Sequence, residues 1–185
     1  MGGSPAYSDL IAERVYQFAK TRNLPIYTFA ESYATSGGYF LICIGDEVYA
    51  HETSYVGSIG VISQAAAFKK ILDKNKIVLN QVSSSENLSE TILDSLNSDE
   101  ILPKKIERMK QIQSEIFATF KSHILKHRGT KFSDDDHEKL FNADVFLGEE
   151  AKSIGLIDNL GDITTVIKEK HEDCELLNFS KLSKW

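Results

Sequence analysis

The chain has 185 residues, 42% hydrophobic and 10% aromatic, with a formal net charge of −6. That length suits one domain with a sizeable core, and the acidic balance argues against nucleic acid as a partner, because phosphate binding needs a basic face. Cys43 and Cys174 make no disulfide framework and have no metal-ligand spacing, and no apolar run reaches the roughly 18 residues of a membrane span.

In chain order, Gly2-Gly-Ser-Pro5 reads as a glycine turn feeding a helix, with Ser4 as N-cap and Pro5 as the first helical residue. Leu10, Ile11, Val15, Phe18 and Ala19 share one face of that helix, the pattern of a core-facing stripe. Asn23 and Pro25 end it. Pro25 to Ala30 is a strand, with β-branched and aromatic residues in a short run. Ser36 starts a helix that is apolar all round through Ile44 and is therefore expected to be buried. Val48 to Ala50 is a short strand, and Val56 to Ile62 a turn entering another. The residues 64–74 read as helix, with Ala67, Phe68, Ile71 and Leu72 inward, and 77–82 as strand. Residues 83–99 are rich in serine, asparagine and acids and read as a loop.

The longest helix spans 102–128, with Ile106, Met109, Ile112, Ile116, Phe117, Phe120 and Ile124 at helical spacing. His123, Lys126, His127 and Arg128 crowd its C-terminal end, where cations are favoured, and Gly129 can stop it. The His123/His127 pair at i, i+4 reads as half a metal site or as a simple basic helix end. No acidic third ligand is placed nearby, which favours the second. The run Ser133 to Glu138 reads as an acidic helix start with Leu140 and Phe141 inward, 145–158 as strand–helix–strand, and 162–170 as a last helix. Strands alternating with helices predict parallel pairing through right-handed crossovers.

The chemistry concentrates between Glu31 and Ser63, where Ser36-Gly-Gly38 and Gly57-Ser-Ile-Gly60 bracket the apolar helix. Glycines after Ser36 open backbone angles closed to other residues and leave room for a ligand. A serine at a helix N-terminus sits among unpaired N–H donors, which suits a nucleophile whose developing oxyanion needs fixed donors. The same pattern also fits a plain helix cap.

Thr35-Ser-Gly-Gly-Tyr39, then Gly45-Asp-Glu-Val-Tyr-Ala50, then Tyr55-Val-Gly-Ser-Ile-Gly-Val-Ile62 resemble the signal peptide peptidase A/SohB group of peptidase family S49. The likeness runs from about Gly2 to Glu169 and rests on two glycine motifs in order at a matching interval. It implies an α/β fold of the Clp/crotonase type, built of repeated ββα units, with residues 1–185 as one domain. It implies Ser36 as nucleophile, with the N–H groups of Gly3 and Gly37 as oxyanion donors. Peptide or protein substrates of the signal-peptide-remnant kind, no metal or organic cofactor, and a ring-like homo-oligomer with the 102–128 helix as a contact element also follow from it. Met1-Gly-Gly-Ser-Pro5 resembles the middle of the family's S-P-G-G-S-P turn. The expectation is therefore that the first strands, and any membrane anchor, lie outside this chain, so that membrane association would come only through such a segment; the compartment stays open.

One part of the resemblance fails. A serine hydroxyl needs a base, which the family supplies as a lysine. By the family spacing that position falls on Asn87 or Leu88, with Asn87 the better match; neither side chain can take a proton at neutral pH, and no Lys or Arg lies between Lys76 and Lys104. Three readings follow: a peptidase with a replacement base, for which His51, Lys69, Lys70 or a lysine of another subunit are candidates; a pseudopeptidase that binds or scaffolds; or, from fold analogy alone, a crotonase-type acyl-CoA enzyme.

Overall fold

A computed structural model describes residues 3–63, 68–78, 103–133 and 137–179. The chain divides into two units, one formed by Met1–Gly60 and Phe120–Trp185, the other by Val61–Thr119.

The first unit opens with α1 (Pro5–Arg22), followed by β1 (Tyr27–Ala30), β2 (Tyr33–Thr35), α2 (Gly37–Ile42), β3 (Glu47–Ala50) and β4 (Tyr55–Gly57). The second unit holds α3 (Lys69–Lys74) and the first part of α4 (Pro103–Arg128). The rest of α4 returns to the first unit, with α5 (His137–Leu140), β5 (Val145–Phe146), α6 (Gly148–Ser153), β6 (Asn159–Leu160) and α7 (Ile163–Lys170).

Two three-stranded sheets result, ordered β1-β3-β6 and β2-β4-β5. β1 runs parallel to β3 with Tyr27 opposite Glu47 and Ala30 opposite Ala50, and β2 parallel to β4 with Tyr33 opposite Tyr55 and Thr35 opposite Gly57. The first strand of each ββ pair thus joins one sheet and the second strand the other, which is the ββα repeat expected of the Clp/crotonase type. β6 extends the first sheet in parallel, and β5 closes the second antiparallel to β4.

Local chemistry explains the element ends. Pro5 opens α1, and Asn23 ends it in the left-handed region at φ 52°, donating to Lys20 O. That conformation suits asparagine better than most side chains. Asp162 caps α7 by accepting from the Thr164 and Thr165 amides at 2.9 and 3.0 Å, as an N-cap carboxylate should.

The core of the first unit takes Tyr39, Phe40, Cys43, Val48, Val56, Ile59, Ile124, Leu140, Leu156 and Ile157. A single buried cation sits among the described residues of this core. Arg128 is 1% exposed and donates from Nη1 to Asp158 Oδ2 at 2.6 Å and from Nη2 to Gly155 O at 2.7 Å. Asp158 Oδ2 also accepts the Val48 amide of β3 at 2.8 Å, and Lys131 Nζ lies 3.1 Å from Oδ1. Burial alone would raise the Asp158 carboxyl; the Arg128 bond, the Val48 amide and Lys131 outweigh it and hold the group below its usual value. Gly155, at φ +81°, is required here because a Cβ would stand 2.3 Å from Lys131 O.

Three expectations change. In α1 the buried residues are Ser8, Ala12 and Ala19, while Leu10, Ile11, Val15 and Phe18 are exposed. The small face is inward because α1 lies close against α2, where large side chains would not fit. In the second unit the helix described is Lys69–Lys74, with Phe68 and Ile71 exposed rather than inward. β4 ends at Gly57 and no strand follows through residue 63. Of the strand expected over 77–82, residues 77 and 78 are described and form no strand; the rest of it, the 83–99 loop and Asn87 lie outside the described residues. No helix among the described residues is long and apolar enough to cross a membrane.

Candidate active site

β2 delivers the chain to Ser36 and α2 leads it away, so the serine occupies a strand-to-helix corner. Its backbone stands at φ 54°, ψ −121°, outside the regions a side-chain-bearing residue normally adopts. Such a conformation costs on the order of 1–3 kcal/mol and persists only where the surroundings enforce it. Here they do so from both sides: the Ser36 amide donates to Gly57 O at 2.8 Å, and Ser36 O accepts from the Phe40 amide at 3.0 Å. Ser36 is the residue before the first helical position, yet its hydroxyl makes no capping bond. The half-buried side chain therefore leaves the amides of the α2 N-terminus to other acceptors.

Gly3 and Gly37, distant in sequence, meet at this corner. A Cβ on Gly37 would stand 2.8 Å from Ser8 Oγ, 3.2 Å from Gly3 N and 3.6 Å from Gly3 Cα. Ser8, buried in the first turns of α1, is the floor against which Gly37 rests. Its contact joins two elements far apart in the chain, and nothing in the motif spacing marks it. Ser58 also has a positive φ, at 51°, one position beyond the rung that pairs Thr35 with Gly57. The Ser58 amide donates to Asp144 O at 2.6 Å. Positive φ at Ser36, Gly57 and Ser58 puts unusual backbone on both sides of one rung of the second sheet.

Two of the candidate replacement bases have other partners. The ring of His51 lies 3.1 Å from Thr53 Oγ1 through Nδ1, and Lys69 Nζ is 2.9 Å from Asp73 Oδ2 in the next turn of α3. Lys70 is exposed on α3. His123 Nε2 is directed at Phe40 O, and no group of three or more His, Cys, Asp or Glu that could hold a metal ion occurs among the described residues. A cavity of about 350 Å³ opens at the C-terminal end of α1, lined by residues that include Tyr16, Lys20, Pro25 and Asp46 and none from the Ser36 turn.

Two glycines thus pack backbone to backbone beside a strained serine, between a parallel strand and a short helix. The model of peptidase family S49 matches residues 18–177, and the chain belongs to that family. A Brucella melitensis protein named Na(+)/H(+) antiporter NhaA is 34% identical over 175 residues, which make up 93% of this chain and 23% of that protein. The Haemophilus influenzae protein named Probable protease SohB is 22% identical over 86% of this chain and 43% of its own length. The chain thus spans 23% and 43% of these two relatives. Among solved structures, an enoyl-CoA hydratase from Shewanella pealeana superposes with a TM-score of 0.44 at 12% identity, over 91% of this chain and 43% of that one.

Proposed function

We propose that the chain carries a serine peptidase site that cleaves extended peptides by acyl transfer. Ser36 Oγ attacks the carbonyl carbon, and its proton passes through a base to the departing amine. The carbonyl oxygen, now negative, accepts from the amides of Gly3 and Gly37. Water then attacks the acyl-serine and releases the second product, restoring the hydroxyl. The observation that supports this reading most is the strained Ser36 backbone, with a hydroxyl that does not cap its own helix. No metal or organic cofactor enters the scheme, and substrates of the signal-peptide-remnant kind follow from the family.

The base is the open member. The family's lysine position falls on Asn87, and the stretch between Lys76 and Lys104 holds no basic residue. That gap favours a second reading, in which the fold binds peptide or scaffolds a partner without cleaving. The two separate on one measurement: fluorophosphonate labelling of the intact chain against Ser36→Ala. Labelling of the wild type that vanishes in the variant supports the peptidase; no labelling in either supports the binding role. Calorimetry with an acyl-CoA tests the crotonase-type alternative, and a null titration removes it. A homo-oligomer is expected on either reading, with α4 as a candidate contact element, and sedimentation of the purified chain checks it.

A further inference from the structure

His123 lies on α4, outside the chemistry drawn so far, yet it grips the helix that follows Ser36. Its ring stacks on Phe40 with centroids 3.7 Å apart and planes 9° from parallel. Its Nε2 stands 3.1 Å from Phe40 O. A carbonyl only accepts, so the proton of this bond belongs to Nε2. Burial pushes the imidazole down to about 4, with His127 next in effect; Lys126 acts in the same direction, and the Phe40 bond and Asp9 oppose. The ring is therefore neutral near pH 7, with Nε2 as its donor.

The acceptor's position in α2 is what gives this contact a consequence. α2 has six residues, and the last four carbonyls of a helix have no amide of their own to accept from. Phe40 O is one of these, and besides His123 only the weak Cys43 thiol donor reaches it among the described residues, at 3.3 Å. The Phe40 amide, in turn, donates to Ser36 O at 3.0 Å. Ser36 O and the Gly37 N–H belong to one peptide group, and that group is planar. Holding Ser36 O therefore aims the Gly37 N–H.

We propose that His123 is a positioning residue for the oxyanion donor: by anchoring Phe40 it fixes the plane of the Ser36–Gly37 peptide. Its catalytic consequence rests on the peptidase reading above; its structural content does not. Two variants separate the bond from the stack. His123→Phe keeps a flat ring over Phe40 and loses the donor, whereas His123→Gln keeps an N–H donor and loses the ring. Phe120→Leu is the control, since Phe120 touches the Phe40 ring at 5.3 Å between centroids and makes no bond to α2.

The readouts are hydrogen exchange of the Phe40 amide by NMR, the fluorophosphonate rate constant at Ser36, and the thermal midpoint. Loss of one backbone-directed hydrogen bond predicts about tenfold faster exchange and about tenfold slower labelling for His123→Phe. His123→Gln is expected to recover both to within about threefold, and Phe120→Leu to lower the midpoint while moving labelling less than about twofold. Unchanged exchange in His123→Phe overturns the proposal, as does a Phe120→Leu variant that matches it in both readouts. If the wild type does not label at all, the peptidase reading falls, and the exchange comparison still decides whether His123 holds this turn.

Discussion

α1 and α2 begin alike, each with a serine just before its first helical residue and a glycine beside it, and they end up in opposite conditions. Ser4 sits at φ −67°, ψ 124°, an ordinary extended conformation, ahead of a helix whose large apolar residues face outward. Ser36 sits at φ 54°, ψ −121°, ahead of a short helix held at several points. The Tyr39 hydroxyl donates to Leu156 O at 2.8 Å, Phe40 O receives His123, and Ile42 O receives the Thr28 hydroxyl at 2.7 Å. The difference teaches where strain can be kept. A residue outside its comfortable backbone region needs neighbours that over-determine it, and only α2 has them.

That contrast can be broken, beginning with the largest effect. Arg128 fixes the 155–158 turn from which Tyr39 hangs. Arg128→Met leaves Asp158 without its buried cation, and urea denaturation should show a loss of about 3–5 kcal/mol. A loss below about 1 kcal/mol would mean that the turn stands without it. Next, Gly37→Ala drives a Cβ to 2.8 Å from Ser8 Oγ and 3.2 Å from Gly3 N. Its fluorophosphonate rate should fall about a hundredfold, which corresponds to roughly 2.7 kcal/mol. Adding Ser8→Gly relieves only the first contact, so partial recovery is expected; full recovery would show that Gly3 plays no part.

Tyr39→Phe removes the buried hydrogen bond to Leu156 O and the hydroxyl's contact with Arg128, and a stability loss of about 1–2 kcal/mol is expected in the same denaturation assay. The pH dependence has a definite sign. His123 is held from 6.5 down to about 4 by burial, so the unfolded chain binds the extra proton first. Its contribution is present above about pH 6.5 and is lost as pH falls toward about 4. Comparing midpoints at pH 7 and pH 4.5 for the wild type and His123→Phe checks this, since the variant should lose less on acidification. Smallest of all, Phe18→Ser on the outer face of α1 should change stability by no more than about 0.5 kcal/mol. A larger loss would show that this face is covered in solution.

Much of the frame was legible in advance. The strand expected over 25–30 and found at Tyr27–Ala30, the helix after Ser36, the long helix expected over 102–128 and found at Pro103–Arg128, and the last helix expected over 162–170 follow from period and glycine turns. The stripe Leu10, Ile11, Val15 and Phe18 misled because periodicity reports that one face of a helix is apolar and is silent on which face the neighbour accepts. At α1 the neighbour is α2, and close approach selects Ser8, Ala12 and Ala19 instead. That His123 Nε2 meets Phe40 O was not legible, because the acceptor lies on another helix far along the chain.

By itself, the order of residues settled the long helices, the strands β1 and β3 with their parallel pairing, and the placing of a serine at the glycine turn that opens an apolar helix, because these depend on near neighbours and on the turn angles glycine permits; it announced neither β2 nor the antiparallel pairing of β5 with β4. It also exposed the stretch between Lys76 and Lys104 that holds no lysine or arginine, since an absence in a stretch of sequence needs no coordinates. Only the tertiary structure decided that Gly3 lies against Gly37, that the serine backbone is strained, and that a histidine 87 positions away bonds to the turn beside it. Those are contacts between segments remote in the chain, set by how closely whole elements pack, and no local pattern encodes that distance.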